Sequence, residues 1–360
     1  MRFLKLDFLL KLKKFLDPNI PFLHSSLKNS IKTDFEVADV GSSGGSPEEL
    51  NEIFNKCKFT CFDPDRRAIT PQGKNISVMP YGLFSSNTKK DLFLTNWPEA
   101  SSVFEPNKKF LNKFLSSYDH EVIRKKTINL KTLDELFISK KFDYVKVDAE
   151  GADLDVLKGG DIALKECLGV KIEVQFKERN IGSPFFGQVD SYLSKDFYLS
   201  SLEPFLWLKT KNYFINSNPE IVCGDAFYLR SFSSFLKIFN NKHPDDKKNY
   251  LIKYITLSVL FGAHDSIIYF LKNYDLNLSR IDKEILISGV KKSKKNILYN
   301  FIKSVCMILL FIILYIISFP LSYFRKKFKV YIKKNIFFLG KIFKFLGSNP
   351  EAGKQKNNYM

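Results

Sequence analysis

The segment VADVGSSGGSPEEL at 37–50 limits the folds open to this chain more than any other. An apolar run ends at Asp39, the glycines Gly41, Gly44 and Gly45 follow, and a polar stretch then opens. Glycines there permit a tight turn and close backbone approach, so the pattern predicts a strand, a turn and a helix in direct succession. Ser46 suits the N-cap, Pro47 the first helical position, and Glu49 the far end of a capping box. Apolar runs at 35–40, 59–62, 76–80, 142–147, 170–176 and 225–229 alternate with helical patterns at 47–56, 132–138, 153–168 and 188–193. That alternation predicts a mainly parallel sheet of βα units, a Rossmann-like doubly wound α/β body over 31–231.

Helices are expected at 250–261 and 266–274, joined at Gly262-Ala263, and at 283–290, so 232–303 reads as a helical spacer. Residues 304–324 carry no charge and 17 of the 21 are hydrophobic. At about 1.5 Å per residue such a helix reaches roughly 30 Å, which predicts a transmembrane or re-entrant segment before a basic tail at 325–360. Residues 1–30 form a basic amphipathic segment ending its helix at Asp17-Pro18; contact with the body and contact with a membrane surface both stay open. Lys5, Asp7 and Lys11 interrupt its apolar run, so no cleaved signal is expected.

The net charge of +18 is unevenly spread: +4 over residues 1–30, zero over 31–290 and +14 over 291–360. Basic clusters beside an apolar span suit an anionic membrane surface, and no nucleic-acid reading module accompanies them. The five cysteines and four histidines make neither a disulfide framework nor a metal-ligand spacing, so no metal is expected, and a reducing cytosol fits best. His120 reads as a solvated loop histidine, with a base role as the alternative. The connection 95–118 is long enough to cover a site or to pack on the sheet.

The glycine turn with Asp39 before it, and Asp63 24 residues further on, outlines a cradle for a nucleotide-type cofactor. Neither GxGxxG nor GxxxxGK[ST] occurs there, which argues against a dinucleotide or a nucleoside triphosphate. The candidate cofactor-binding residues are Asp39, Gly41, Ser42, Gly45 and Asp63.

This arrangement resembles the S-adenosylmethionine-dependent methyltransferases. FDYVKVDAEGADLDVLKGG at 142–160 is similar to the signature of the FkbM-type family, matching at Lys146, Asp148, Glu150, Gly151, Leu157, Lys158 and Gly159. Weaker similarities occur at Ser101-Ser102, Thr132-Leu133-Asp134 and Ile172-Glu173-Val174, and the resemblance covers about residues 35–231. Ser42-Ser43 and Asp63-Pro64 depart from the commoner small residue-Asn and Glu-Pro, but keep hydrogen-bonding capacity. The resemblance implies S-adenosylmethionine as cofactor and O-methylation of a hydroxyl on a sugar or polyketide-like product. The apolar segment adds an expectation of a glycan or lipid-linked acceptor at the cytoplasmic membrane face. An inactive, membrane-anchored binding or scaffold protein is the alternative.

Asp148 or Glu150 would then orient or deprotonate the hydroxyl; otherwise Glu150 caps the helix near Ala152 and Asp148 anchors the turn. Lys146 is expected to pair with a neighbouring carboxylate. A positive-inside count puts the C-terminus in the cytoplasm, which a re-entrant segment reconciles with a cytoplasmic catalytic domain.

Overall fold

The computed structural model describes residues 22–43, 46–65, 67, 72–136, 141–209 and 220–293. The helix expected before Asp17, the glycines Gly44 and Gly45, the span at 304–324 and the tail at 325–360 lie outside them. Among the described residues, no helix is long and apolar enough to cross a membrane.

The strands are β1 (Phe35–Val40), β2 (Cys57–Phe62), β3 (Ile76–Met79), β4 (Gly82–Leu83), β5 (Thr88–Thr95), β6 (Val122–Lys131), β7 (Tyr144–Val147), β8 (Gly169–Gln175), β9 (Phe197–Trp207) and β10 (Glu220–Arg230). Seven of them form one sheet in the order β3-β2-β1-β7-β8-β10-β9. The first five run parallel, and β10 is antiparallel to both its neighbours. From β1 the chain moves outward to β2 and β3, then returns to place β7 on the other side of β1. The order therefore reverses between β1 and β7, and the crevice outside their carboxyl ends is where open α/β sheets take ligands.

The helices are α1 (Ser25–Ser30), α2 (Lys108–Leu111), α3 (Leu133–Leu136), α4 (Asp153–Lys158), α5 (Phe186–Leu193), α6 (Phe232–Asn241), α7 (Pro244–Leu260), α8 (His264–Asn273) and α9 (Arg280–Lys292). Strand alternation divides the core in two. Phe35, Val37, Tyr144 and Phe227 join residues of α1 and α6 to α9 on one face, whereas Val40, Val145, Val147 and Ile172 join those of α4 and α5 on the other. The region expected as a spacer is helical as far as Lys292 and shares the core of the first face. Its rings stack: Phe235 lies 4.4 Å from Tyr254 and 5.2 Å from Tyr250 between centroids.

Three local expectations change. The helix expected over 153–168 stops at Lys158, because the weak helix formers Gly159 and Gly160 follow; Gly159 lies against the Phe84 carbonyl, 2.1 Å from where a Cβ would sit. The segment Glu48–Lys56 is 3-10 helical with a kink at Ile53, not a regular α-helix. Strands β4, β6 and β5 form a second, three-stranded sheet that the sequence pattern did not predict. Much of β5 and β6 faces solvent and carries charge, which leaves no apolar run to read.

Candidate active site

At the end of β1 the chain passes through Gly41 at φ +71, where a Cβ would lie 1.8 Å from the Asp148 carbonyl oxygen. Only glycine meets both demands. The Asp148 N–H donates to the Val40 carbonyl at 3.0 Å, fastening the ends of β1 and β7 together. The structure thus brings Asp39, Gly41, Ser42 and Asp148 to one crevice, with Asp63 at the adjoining end of β2. Gly45 lies outside the described residues.

Asp39 and Ser42 are fully buried. Neither the Asp39 carboxylate oxygens nor the Ser42 hydroxyl has a hydrogen-bond partner among the described residues. Asp39 does have an ion pair with Lys146 at 3.4 Å. Burial pushes its carboxyl up to about 6, with Lys146 opposing. Asp63 accepts from the Asp65 N–H at 2.8 Å, and burial raises it to about 6 as well. The neighbouring Asp65 is tied instead to Arg67, whose Nη2 donates to it at 2.7 Å.

A charged row lies beneath. Asp39, Lys146 and Lys171 stand abreast on β1, β7 and β8. Lys146 also donates to the Gly41 carbonyl at 2.9 Å and pairs with Asp148 at 3.5 Å, so the expected carboxylate pairing is a double one. Burial opposes its charge, but Asp39 and Asp148 outweigh that and hold the ammonium above its usual range. Lys171 pairs with Asp225 at 3.1 Å and Glu49 at 3.6 Å. The expected capping box is absent: the N-cap is Pro47, and no side chain caps it. Glu49 is buried instead, accepting from the Tyr144 hydroxyl and facing Lys171, which draws it away from the helix start.

The turn after β7 separates the two proposed catalytic carboxylates. The Asp148 side chain is 39% exposed. Glu150 takes φ +53, a left-handed conformation unusual for a residue with a side chain, and its own side chain is turned inward to Arg179. Ser102 and Asn180 donate to the Glu150 carbonyl at 2.7 and 2.9 Å, holding that conformation. The amides of the turn are capped by Asp153, which accepts from the N–H groups of Ala149 and Gly151 at 2.8 and 2.9 Å. Glu150 therefore does not cap α4. Carboxylate oxygens of Asp148, Glu150 and Glu173 come within 4.8 Å of one another, a spacing that could hold a cation, and Arg179 pairs with the latter two.

The connection over 95–121 is fastened to this end of the sheet. The Asn107 N–H donates to the Arg179 carbonyl and the Ile181 N–H to the Glu105 carbonyl, at 2.9 and 2.8 Å. Phe114 packs with Val222 and Cys223. His120 is not a solvated loop residue: it is 7% exposed, and its ring stacks on Trp207 at 5.2 Å. Burial, with Arg179 nearby, pushes its imidazole down to about 3, which makes it a poor base. The clefts of about 490 and 310 Å³ lie elsewhere, the first beside α1 and the second along the amino ends of β1 and β2.

Sequence reasoning missed Arg179, Lys171 and the inward Glu49. A signal existed for Lys171: in GVKIEVQ, polar residues alternate with apolar ones, marking a strand with one charged face. Arg179 sits in Lys177-Glu178-Arg179-Asn180, a run that reads as solvent-exposed.

Residues 50–199 match a family model described as Methyltransferase FkbM domain. The match includes the turn after β7 and Arg179, and begins after the glycine turn. No curated protein matches the chain.

Proposed function

We propose, from the match of residues 50–199 to the FkbM methyltransferase domain model, that this chain carries out S-adenosylmethionine-dependent O-methylation of a sugar hydroxyl. The acceptor would belong to a glycan or lipid-linked precursor at the cytoplasmic face of a membrane. The observation that carries the reading is the buried pair Asp39 and Ser42, whose side chains have no hydrogen-bond partner among the described residues, at the crevice where the strand order reverses.

Those residues fit the cofactor. Asp39 and Ser42 offer acceptors for the ammonium of its amino-acid end, Gly41 allows close approach, and Asp63 offers acceptors for the ribose hydroxyls. Bound there, it would supply an electrophilic methyl group on a positively charged sulfur. The carboxylates of this site outnumber its cations, which favours a positive ligand. Asp148, partly open to solvent and held by Lys146, can orient a hydroxyl, and that positioning is the main protein contribution to a displacement of this kind.

The membrane and glycan parts rest on the sequence: +14 of charge surrounds the uncharged 304–324 segment. Such clusters gain roughly 1 kcal/mol per basic residue near an anionic surface. Incubating the full chain with methyl-labelled S-adenosylmethionine and membrane glycolipid extracts of the source organism tests the reading. Label should enter the glycolipid fraction and fall at least about 100-fold with D148N, the scale of a lost acid-base or positioning group. Incorporation no greater than without the chain would overturn it and favour the scaffold alternative.

A further inference from the structure

Two strands of the smaller sheet form a basic ribbon beside the crevice. Strands β5 and β6 carry six basic residues, Lys89, Lys90, Arg124, Lys125, Lys126 and Lys131, against one acid, Asp91. Residues 31–290 are neutral as a whole, so this is a local concentration of one sign. Lys89, Arg124, Lys125 and Lys126 are exposed and have no ion pair among the described residues. Lys90 and Lys125 lie 4.5 and 4.6 Å from the ring centres of Phe84 and Phe93. The acids nearby are engaged: the Thr127 hydroxyl donates to Asp91 at 2.8 Å, Lys131 pairs with Glu135 at 4.0 Å, and the Asn96 amide donates to Glu121 at 3.5 Å.

Two features narrow what such a ribbon binds. Strand β6 pairs with β5 along its length but with β4 only at Leu130 and Lys131. Among the described strands its outer edge from Ile123 to Asn129 is therefore free, and outward backbone N–H groups add donors to the cations. At the start of the ribbon, Ile123 and Tyr118 are 56% and 64% exposed. Donors for phosphate beside an exposed aliphatic side chain and a phenol suit the headgroup layer of an anionic bilayer. The ribbon also adjoins the site. Phe93 and Ser102 exchange backbone hydrogen bonds at 2.8 and 3.3 Å, and the Ser102 hydroxyl donates to the Glu150 carbonyl. Ile128 and Leu130 pack with Ala149 and Ala152 of the turn after β7.

We propose that this ribbon is a docking surface for the phosphate headgroups of an anionic bilayer, with Lys89, Arg124, Lys125 and Lys126 against the phosphates and Ile123 and Tyr118 entering the headgroup layer. The proposal rests on the membrane placement in the reading above and adds an orientation to it. The crevice then opens beside the bilayer surface, within reach of a hydroxyl carried on a headgroup. Cations on a free edge also deter pairing with another strand. That role predicts no preference between charged and neutral bilayers, so the two are separable.

The test is lysine acetylation of the full chain, read by mass spectrometry, on vesicles of phosphatidylcholine alone and of phosphatidylcholine and phosphatidylglycerol in equal parts, with flotation to show binding. On the anionic vesicles, labelling of Lys89, Lys125 and Lys126 should fall about fivefold, the scale of one basic residue's attraction to such a surface. Exposed Lys58 and Lys195, at the end of the main sheet away from the crevice, should label equally on both. R124Q/K126Q, which changes only exposed side chains, should weaken the shielding of Lys125. Three results would overturn the proposal alone: a chain that floats with the anionic vesicles but labels equally on both lipids, shielding of Lys125 that R124Q/K126Q leaves unchanged, or equal shielding by single-stranded DNA or heparin without lipid. A chain that floats with neither vesicle would overturn the membrane placement and this surface with it.

Discussion

The face of the sheet covered by α6 to α9 changes character halfway along its strands. Toward the amino ends of β1 and β7 it presents Phe35, Val37 and Tyr144, and Leu229 of antiparallel β10 lies level with Val37 and Tyr144. One step toward the carboxyl ends, β1, β7 and β8 present Asp39, Lys146 and Lys171 level with Phe227, and Asp225 of β10 lies one step further, opposite Glu173. In the first half, the rings of Tyr250 and Tyr254 stack on Phe235 and Phe270 meets it edge-on. In the second, the carboxylates are crowded, a left-handed glutamate is pinned in place, and Asp39 and Ser42 lack hydrogen-bond partners among the described residues. The difference teaches that stability and chemistry are drawn from opposite ends of one surface.

Breaking the aromatic half should have the largest effect. F235A removes a fully buried ring with stacked or edge-on neighbours and should cost about 3–5 kcal/mol in denaturant unfolding, with the cofactor affinity of the folded fraction unchanged. D39N should do the reverse: cofactor affinity should fall by about 2 kcal/mol, roughly 30-fold, by calorimetry, with a smaller loss of stability.

Changing pH should act on the charged half alone. Asp39 and Asp63 are raised to about 6 on folding, so between about pH 4 and 6 the folded chain binds more protons than the unfolded one. Their contribution to stability therefore falls as pH rises across that window. Affinity for a cationic ligand should move the opposite way, rising about tenfold from pH 5 to 7 as Asp39 ionises. The smallest effect is expected at His120, which is neutral down to about pH 3, so its ring proton shifts should stay flat from pH 5 to 8 in NMR spectra.

The sequence disclosed the parallel strands and the glycine turn because both leave local marks: continuous apolar runs, and glycines where a strand ends. It also brought Asp39, Gly41, Ser42 and Asp148 to notice, which the fold places together. It was silent on Arg179, because a buried ion triad depends on side chains from two separate loops and a strand. It misplaced Glu49 in a capping box, since the capping pattern is local while the pull of Lys171 and Tyr144 is tertiary. It misread His120 for the same reason: stacking on Trp207 joins residues distant in the chain. The helices α6 to α9 were partly legible from their apolar spacing, but not that they complete the core beside the strands.

Calorimetric titration of the purified full chain with S-adenosylmethionine, run in parallel on D39N, tests the central claim most directly. Saturable one-site binding by the wild type, weakened about 30-fold by D39N, is the predicted result. No binding by a folded wild type, or equal affinity in both proteins, would contradict it.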